Sequence, residues 1–137
     1  MNNLKIVVLV LSCIWIMPCQ VAAGEFDGSR PLLGTVVELY ECAADNACEE
    51  VTIEEINFVR FLEFNFKKKK ITGTRANGQG LSSEIKSQVS MDGMLILQGV
   101  EHGRGWTMTI AEETGKMVMT VSGDEEGFVV FGACIPR

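Results

Sequence analysis

Ile85-Lys86-Ser87-Gln88-Val89-Ser90-Met91-Asp92-Gly93-Met94-Leu95-Ile96-Leu97 reads as two strands folded about a two-residue turn. Asp92-Gly93 is among the strongest hairpin dipeptides, because both central residues of a type I′ turn need φ > 0. Before it, Ile85, Val89 and Met91 alternate with Lys86, Gln88 and Ser90. That alternation is expected of a strand with one face buried and the other wet. After it, Leu95-Ile96-Leu97 is continuously apolar, as in a strand covered on both faces or in contact with a partner.

The same signals extend outward in both directions. Asn77-Gly78 is a second hairpin dipeptide, and Gly103-Arg104-Gly105, Thr114-Gly115 and Gly123 to Gly127 are further turn signals. Leu62, Phe64 and Phe66 share one face, as do Trp106, Met108 and Ile110, while Phe128 to Phe131 is another continuous apolar run. The spacing predicts eight strands, at about 33–41, 60–67, 70–75, 81–91, 94–100, 105–112, 116–122 and 127–134. One short helix, near 53–58, is expected from Thr52-Ile53-Glu54-Glu55, which fits a capping box. The fold class is therefore all-β, an antiparallel meander of about eight strands. Eight hairpin-linked strands are the number that closes a small up-and-down barrel, with a β-sandwich as the alternative.

Residues 1–24 stand outside this pattern. Lys5 precedes an apolar run from Ile6 to Met17, Pro18 ends it, and Val21-Ala22-Ala23-Gly24 supplies small residues. This is the layout of a secretory signal peptide, and the run is too short for a membrane anchor, which needs about 20 residues. Residues 25–137 then form a single β domain, and a periplasmic or secreted location follows. Formal charge is −6 for the whole chain and −7 for residues 25–137, since Lys5 is the one charged residue of the leader. So acidic a chain has little with which to neutralise phosphates, so no nucleic-acid partner is expected. No transmembrane segment is expected beyond the leader, and no cofactor or metal is implied.

Few residues stand out as chemistry. His102 lies in a glycine-rich turn, a general base only if a partner and a nucleophile were supplied, and adjacent Glu101 is expected on the opposite face, as neighbours on a strand are. His102 and Arg104 are also candidates for ligand binding. Lys67, Lys68, Lys69 and Lys70 are candidates for an anion-binding patch, or a solvated hairpin tip that discourages edge pairing. Asp45, Glu49, Glu50, Glu54 and Glu55 lack the fixed ligand order of a calcium loop and read as solvated acids. Met91, Met94, Met108, Met117 and Met119 fit a core, or the lining of an adaptable cavity.

Three cysteines remain after the leader: Cys42, Cys48 and Cys134. Export favours disulfides. Asp45-Asn46 can reverse the chain between Cys42 and Cys48, which predicts a disulfide there and a free thiol at Cys134. A Cys42–Cys134 bond across the barrel seam is the alternative.

Phe26-Asp27-Gly28-Ser29-Arg30-Pro31-Leu32-Leu33, Gly99 to Trp106 and Gly127-Phe128-Val129-Val130-Phe131-Gly132-Ala133-Cys134 together resemble a family of small exported proteins of Gram-negative bacteria. The resemblance covers nearly all of residues 25–137 and implies a periplasmic location without an activity. In that family a cysteine often follows the Pro-Leu-Leu element, where this chain has Gly34. The resemblance thus implies that one partner of a second disulfide is missing. A looser likeness is to small periplasmic β-barrel inhibitors of lysozyme, none of whose active-site-plugging motifs can be placed here. The leading functional expectation is a non-catalytic periplasmic binding or interaction domain, its partner a periplasmic protein or an envelope component. The alternatives are a carrier of a small apolar ligand in the barrel interior, and a hydrolase using His102.

Overall fold

Nine strands form between Leu32 and Pro136 in the computed structural model, which describes residues 25–137. The expected signal peptide lies outside the described residues. The strands are β1 Leu32–Ala43, β2 Glu49–Glu50, β3 Phe61–Asn65, β4 Lys70–Thr74, β5 Gly80–Met91, β6 Met94–Glu101, β7 Arg104–Ala111, β8 Lys116–Ser122 and β9 Glu126–Pro136. From β3 to β9 each strand pairs antiparallel with the next, and β9 returns to pair with β1 from Leu32↔Pro136 to Ala43↔Glu126. The sheet is thereby a closed eight-stranded barrel, not a sandwich, with the two-residue β2 added beside Tyr40 and Glu41.

Closure turns the alternation of each strand into an inside and an outside. Leu62, Phe64, Ile71, Leu95, Leu97, Trp106, Met108, Ile110, Met117, Met119 and Val130 are buried in one cluster. Met91 and Met94, by contrast, are exposed at the β5–β6 hairpin, so the methionines divide between core and surface. The runs read as covered on both faces are covered on one. Ile96 is half-buried and Phe131 exposed, because among the described residues no second layer packs on the barrel wall.

Two bulges change the phase of strands. In β1 the register shifts between Val36 and Glu38, so Val36 and Leu39 both point inward and Val37 is left outside. In β5 it shifts between Ile85 and Ser87. Ile85 is buried, but Val89 and Met91 fall on the outer face, against the alternation expected of them. A bulge inserts one unpaired residue and inverts every later side chain.

The helix expected at 53–58 does not form. Its start signal does: the Glu55 amide donates to Thr52 Oγ1 at 3.2 Å, and the Thr52 amide donates to Glu55 Oε2 at 2.7 Å. This hydrogen bonding holds the Glu55 carboxyl below its usual range. The stop signal follows at once. Asn57 takes φ 51°, the Phe58 amide donates to Ile53 O at 2.9 Å and the Asn57 amide to Glu54 O at 3.4 Å. Those two bonds are the closing pair of a helix C-terminus. Cap and stop are back to back, leaving a turn with no helical interior. The turn seats Ile53 and Val59 in the core and leaves Ile56 and Phe58 half-buried beside it.

The tight turns follow local chemistry. Asp92 (φ 52°) and Gly93 (φ 76°) form the expected two-residue loop. The β6–β7 turn falls on His102 (φ 48°) and Gly103 (φ 79°), one residue before the glycine triplet marked it. At Asn77-Gly78 only Gly78 has positive φ, and the Arg75 amide donates to Gln79 O, making a three-residue loop rather than a type I′ pair.

Candidate functional site

The two ends of the barrel differ. One end gathers the 44–58 segment, the β4–β5 loop, the His102-Gly103 turn and the β8–β9 loop. The other is crossed by residues 26–31, where Phe26 is buried and packs against Gly115. A cavity of about 340 Å³ opens at the first end. That volume lies at the lower edge of the roughly 300–1,000 Å³ usual for small-molecule pockets.

Its floor and walls are apolar: Leu39, Leu62, Ile71, Met108, Met119 and Val130 from the strands, Ile56 and Phe58 from the capped turn. Trp106 forms one side. Its indole lies over Gly99, the register partner across β6–β7, where a side chain would overlap the ring. The indole Nε1–H donates to the buried Ser83 hydroxyl at 2.9 Å. That bond satisfies both groups, as burial requires.

The charged groups and His102 are at the rim: Arg75, Glu101, His102 and Arg104. Arg104 pairs with Glu126 and lies over the Phe128 ring, 5.6 Å from its centroid. His102 Nδ1 is 2.9 Å from Glu101 Oε1, and the His102 side chain is 84% exposed. The two were expected on opposite faces, as adjacent strand residues are. The turn breaks that alternation and brings them together. No serine, threonine or cysteine hydroxyl or thiol bonds to the imidazole among the described residues, and the Ser83 hydroxyl is already held by Trp106.

Arg75 continues the inward-facing positions Ile71 and Gly73 of β4. It is half-buried, and its Nη1 donates to Asn57 O at 3.4 Å. Nothing in the sequence marked it as a site residue, because it ends the expected strand 70–75 in an unremarkable Thr-Arg-Ala context. Its inward direction could be read only once β4 had a register.

Lys67, Lys68, Lys69 and Lys70 are elsewhere. They form the β3–β4 hairpin at the other end of the barrel, all exposed. Lys68 and Lys70 border a second cleft with Glu63 and Arg137, which pair at 2.7 Å. Lys86 beside Glu84, with Lys69 and Lys70 farther off, holds the Glu84 carboxyl below its usual range. The lysines therefore share no site with His102 and Arg104. Among the described residues, no cluster of acids, histidines and cysteines is arranged to hold a metal. No described helix is long and apolar enough to cross a membrane.

Cys42 and Cys48 are disulfide-bonded, with Cα atoms 4.1 Å apart, across the turn at the top of β1. Cys134 is free and buried, its Sγ 3.6 Å from Met117 Sδ. Burial pushes its thiol up to about 12. The thiolate is the reactive form, so Cys134 stays neutral and inert through the physiological range. On protein comprising residues 25–137, which lacks Cys13 and Cys19, iodoacetamide at pH 8 is expected to leave the native fold unmodified and to add one equivalent in guanidinium without reductant. Modification of the native protein at a rate near that of a free thiol would contradict this.

Comparison with protein-family profiles, curated proteins and solved structures finds no match for this chain.

Proposed function

We propose that this protein is a non-catalytic binding domain of the bacterial cell envelope, and that it holds a small, mainly apolar ligand in the mouth of its barrel. The supporting observation is the cavity itself: apolar walls around about 340 Å³, with charged groups confined to the rim. An empty apolar hollow forgoes dispersion contacts, so a fold that keeps one open gains by filling it. The envelope location is supported by the leader's layout and by the Cys42–Cys48 bond, which suits an oxidising compartment. A hydrolase is less well supported, because the Glu101–His102 pair faces solvent on a turn and meets no nucleophile among the described residues.

Trp106 is the single tryptophan of residues 25–137, so its fluorescence reports on the cavity directly. Titration with 1-octanol is expected to shift that emission saturably, and native mass spectrometry to show one bound molecule. No saturable response to octanol or to other eight-carbon amphiphiles would overturn the reading.

A further inference from the structure

Of the two guanidinium groups around the cavity, Arg75 and Arg104, one lacks a carboxylate partner. Arg104 is paired with Glu126, and Glu101 is against His102. Arg60 on the outer surface is paired with Glu54. Arg75 forms no ion pair among the described residues, and residues 1–24 contain no Asp or Glu that could supply one. It is nonetheless half-buried, on the inward face of β4, at the lip of an apolar hollow.

A guanidinium carries five N–H donors in a planar fork. The Asn57 carbonyl takes one, at the long distance of 3.4 Å. The remaining donors have no protein acceptor among the described residues. A partly desolvated cation with free donors is an incomplete arrangement, and the partner that best completes it is a carboxylate, whose two oxygens match the fork.

We propose that Arg75 is the anion anchor of the cavity, and that the ligand is a monocarboxylate with an apolar tail. This deepens the reading given under Proposed function and rests on it. The head lies at the mouth against Arg75, and the tail runs down between Ile71, Leu62 and Met108 toward Val130. The charge of the head is limited to one. The rim itself carries Glu101, and the loops around the mouth carry Asp45, Glu55, Asp124 and Glu125. That field penalises each additional negative charge brought to the rim, which disfavours phosphate and dicarboxylate heads.

The test compares octanoate, 1-octanol and octylammonium at pH 8 by Trp106 fluorescence, on the native protein and on Arg75→Gln. Glutamine keeps an N–H for the Asn57 carbonyl and removes the charge. Octanoate is expected to bind the native protein about ten- to a hundredfold more tightly than octanol, the range of a charged hydrogen bond. Octylammonium is expected to bind more weakly than octanol. In Arg75→Gln the octanoate advantage should vanish while octanol affinity stays within about threefold, and Arg75→Lys should restore part of the advantage. Equal binding of octanoate and octanol by the native protein would overturn the anchor and leave the apolar cavity standing. So would preferential binding of octylammonium, since the acidic rim would then select the head. An octanoate advantage that survives in Arg75→Gln would place the anchor elsewhere. Failure of all three ligands would remove the cavity reading together with its anchor. Should Arg75→Gln not fold, Arg75→Lys takes its place: a reduced octanoate advantage there supports the anchor, and an unchanged one overturns it.

Discussion

Gly34→Cys is expected to form a disulfide with Cys134 under oxidising conditions and to raise the thermal midpoint by roughly 8–15 °C, about 2–4 kcal/mol. The two positions are register partners across the β1–β9 seam. A Cβ at Gly34 would lie 3.4 Å from Cys134 Sγ. Opposed residues of an antiparallel pair have Cα atoms within the range that a disulfide accepts. The bond would close a loop of about a hundred residues, whose entropic ceiling is ~4.7 kcal/mol. Crowding takes part of that back, because the same Cβ would be 2.9 Å from the Phe64 ring and 3.2 Å from Met117 Sδ. Gly34→Ser isolates the crowding, since it adds the same Cβ and no bond. Calorimetry of both variants, with and without reductant, makes the comparison. An oxidised Gly34→Cys protein no more stable than its reduced form would overturn the expectation.

Gly99→Val should have the opposite effect, a loss of about 3 kcal/mol or more. A Cβ there overlaps the Trp106 ring and comes 2.5 Å from the Glu84 carbonyl oxygen, which is backbone and cannot turn aside. Ordinary overpacking costs about 1–3 kcal/mol. Expelling the indole adds a share of the roughly 3–5 kcal/mol that removing a buried Trp costs. It also breaks the Trp106–Ser83 bond. The expected observations are a thermal midpoint lower by about 12 °C or more, red-shifted tryptophan emission and no response to octanol. Gly105→Ala serves as the contrast. Its nearest neighbour would be Ser122 Oγ at 3.5 Å, ordinary contact, and stability should change by no more than about 0.5 kcal/mol. Equal effects at the two glycines would refute the seat assigned to Trp106.

What the sequence carried, and what it did not, divides along a physical line. Barrel strands and their turns are specified locally, by alternation and by residues that accept positive φ. Trp106, Met108 and Ile110 all point inward, and Asp92-Gly93 turns where its dipeptide says. Features that depend on pairing partners were hidden. The bulge at Ile85/Ser87 leaves no mark in composition, so Val89 and Met91 were assigned to the wrong face. Thr52 and Glu55 form their capping box, yet Asn57 ends the turn before a helix can propagate. The free thiol and the local disulfide were legible because turn chemistry and ring closure over six residues are both short-range. The cavity was not. Arg75, His102 and Trp106 come from three strand ends, and only the closed register brings them around one opening. The lysine run drew notice by composition alone, and the fold puts it at the far end.

The seam between β1 and β9 joins residues about a hundred positions apart, which has a consequence for the chain while it is being made. The hairpins from β5 to β8 need only neighbours and can form within microseconds. The barrel cannot close until β9 exists. At about 5–20 residues per second, synthesis of that last strand takes on the order of a second. Until β9 is present, any sheet the chain forms is open, with the β8 edge and one edge of β1 without partners. A factor that binds the chain before β9 has emerged would therefore meet unpaired strand edges and not a closed cylinder, and any delay in delivering the final strand would prolong that exposure.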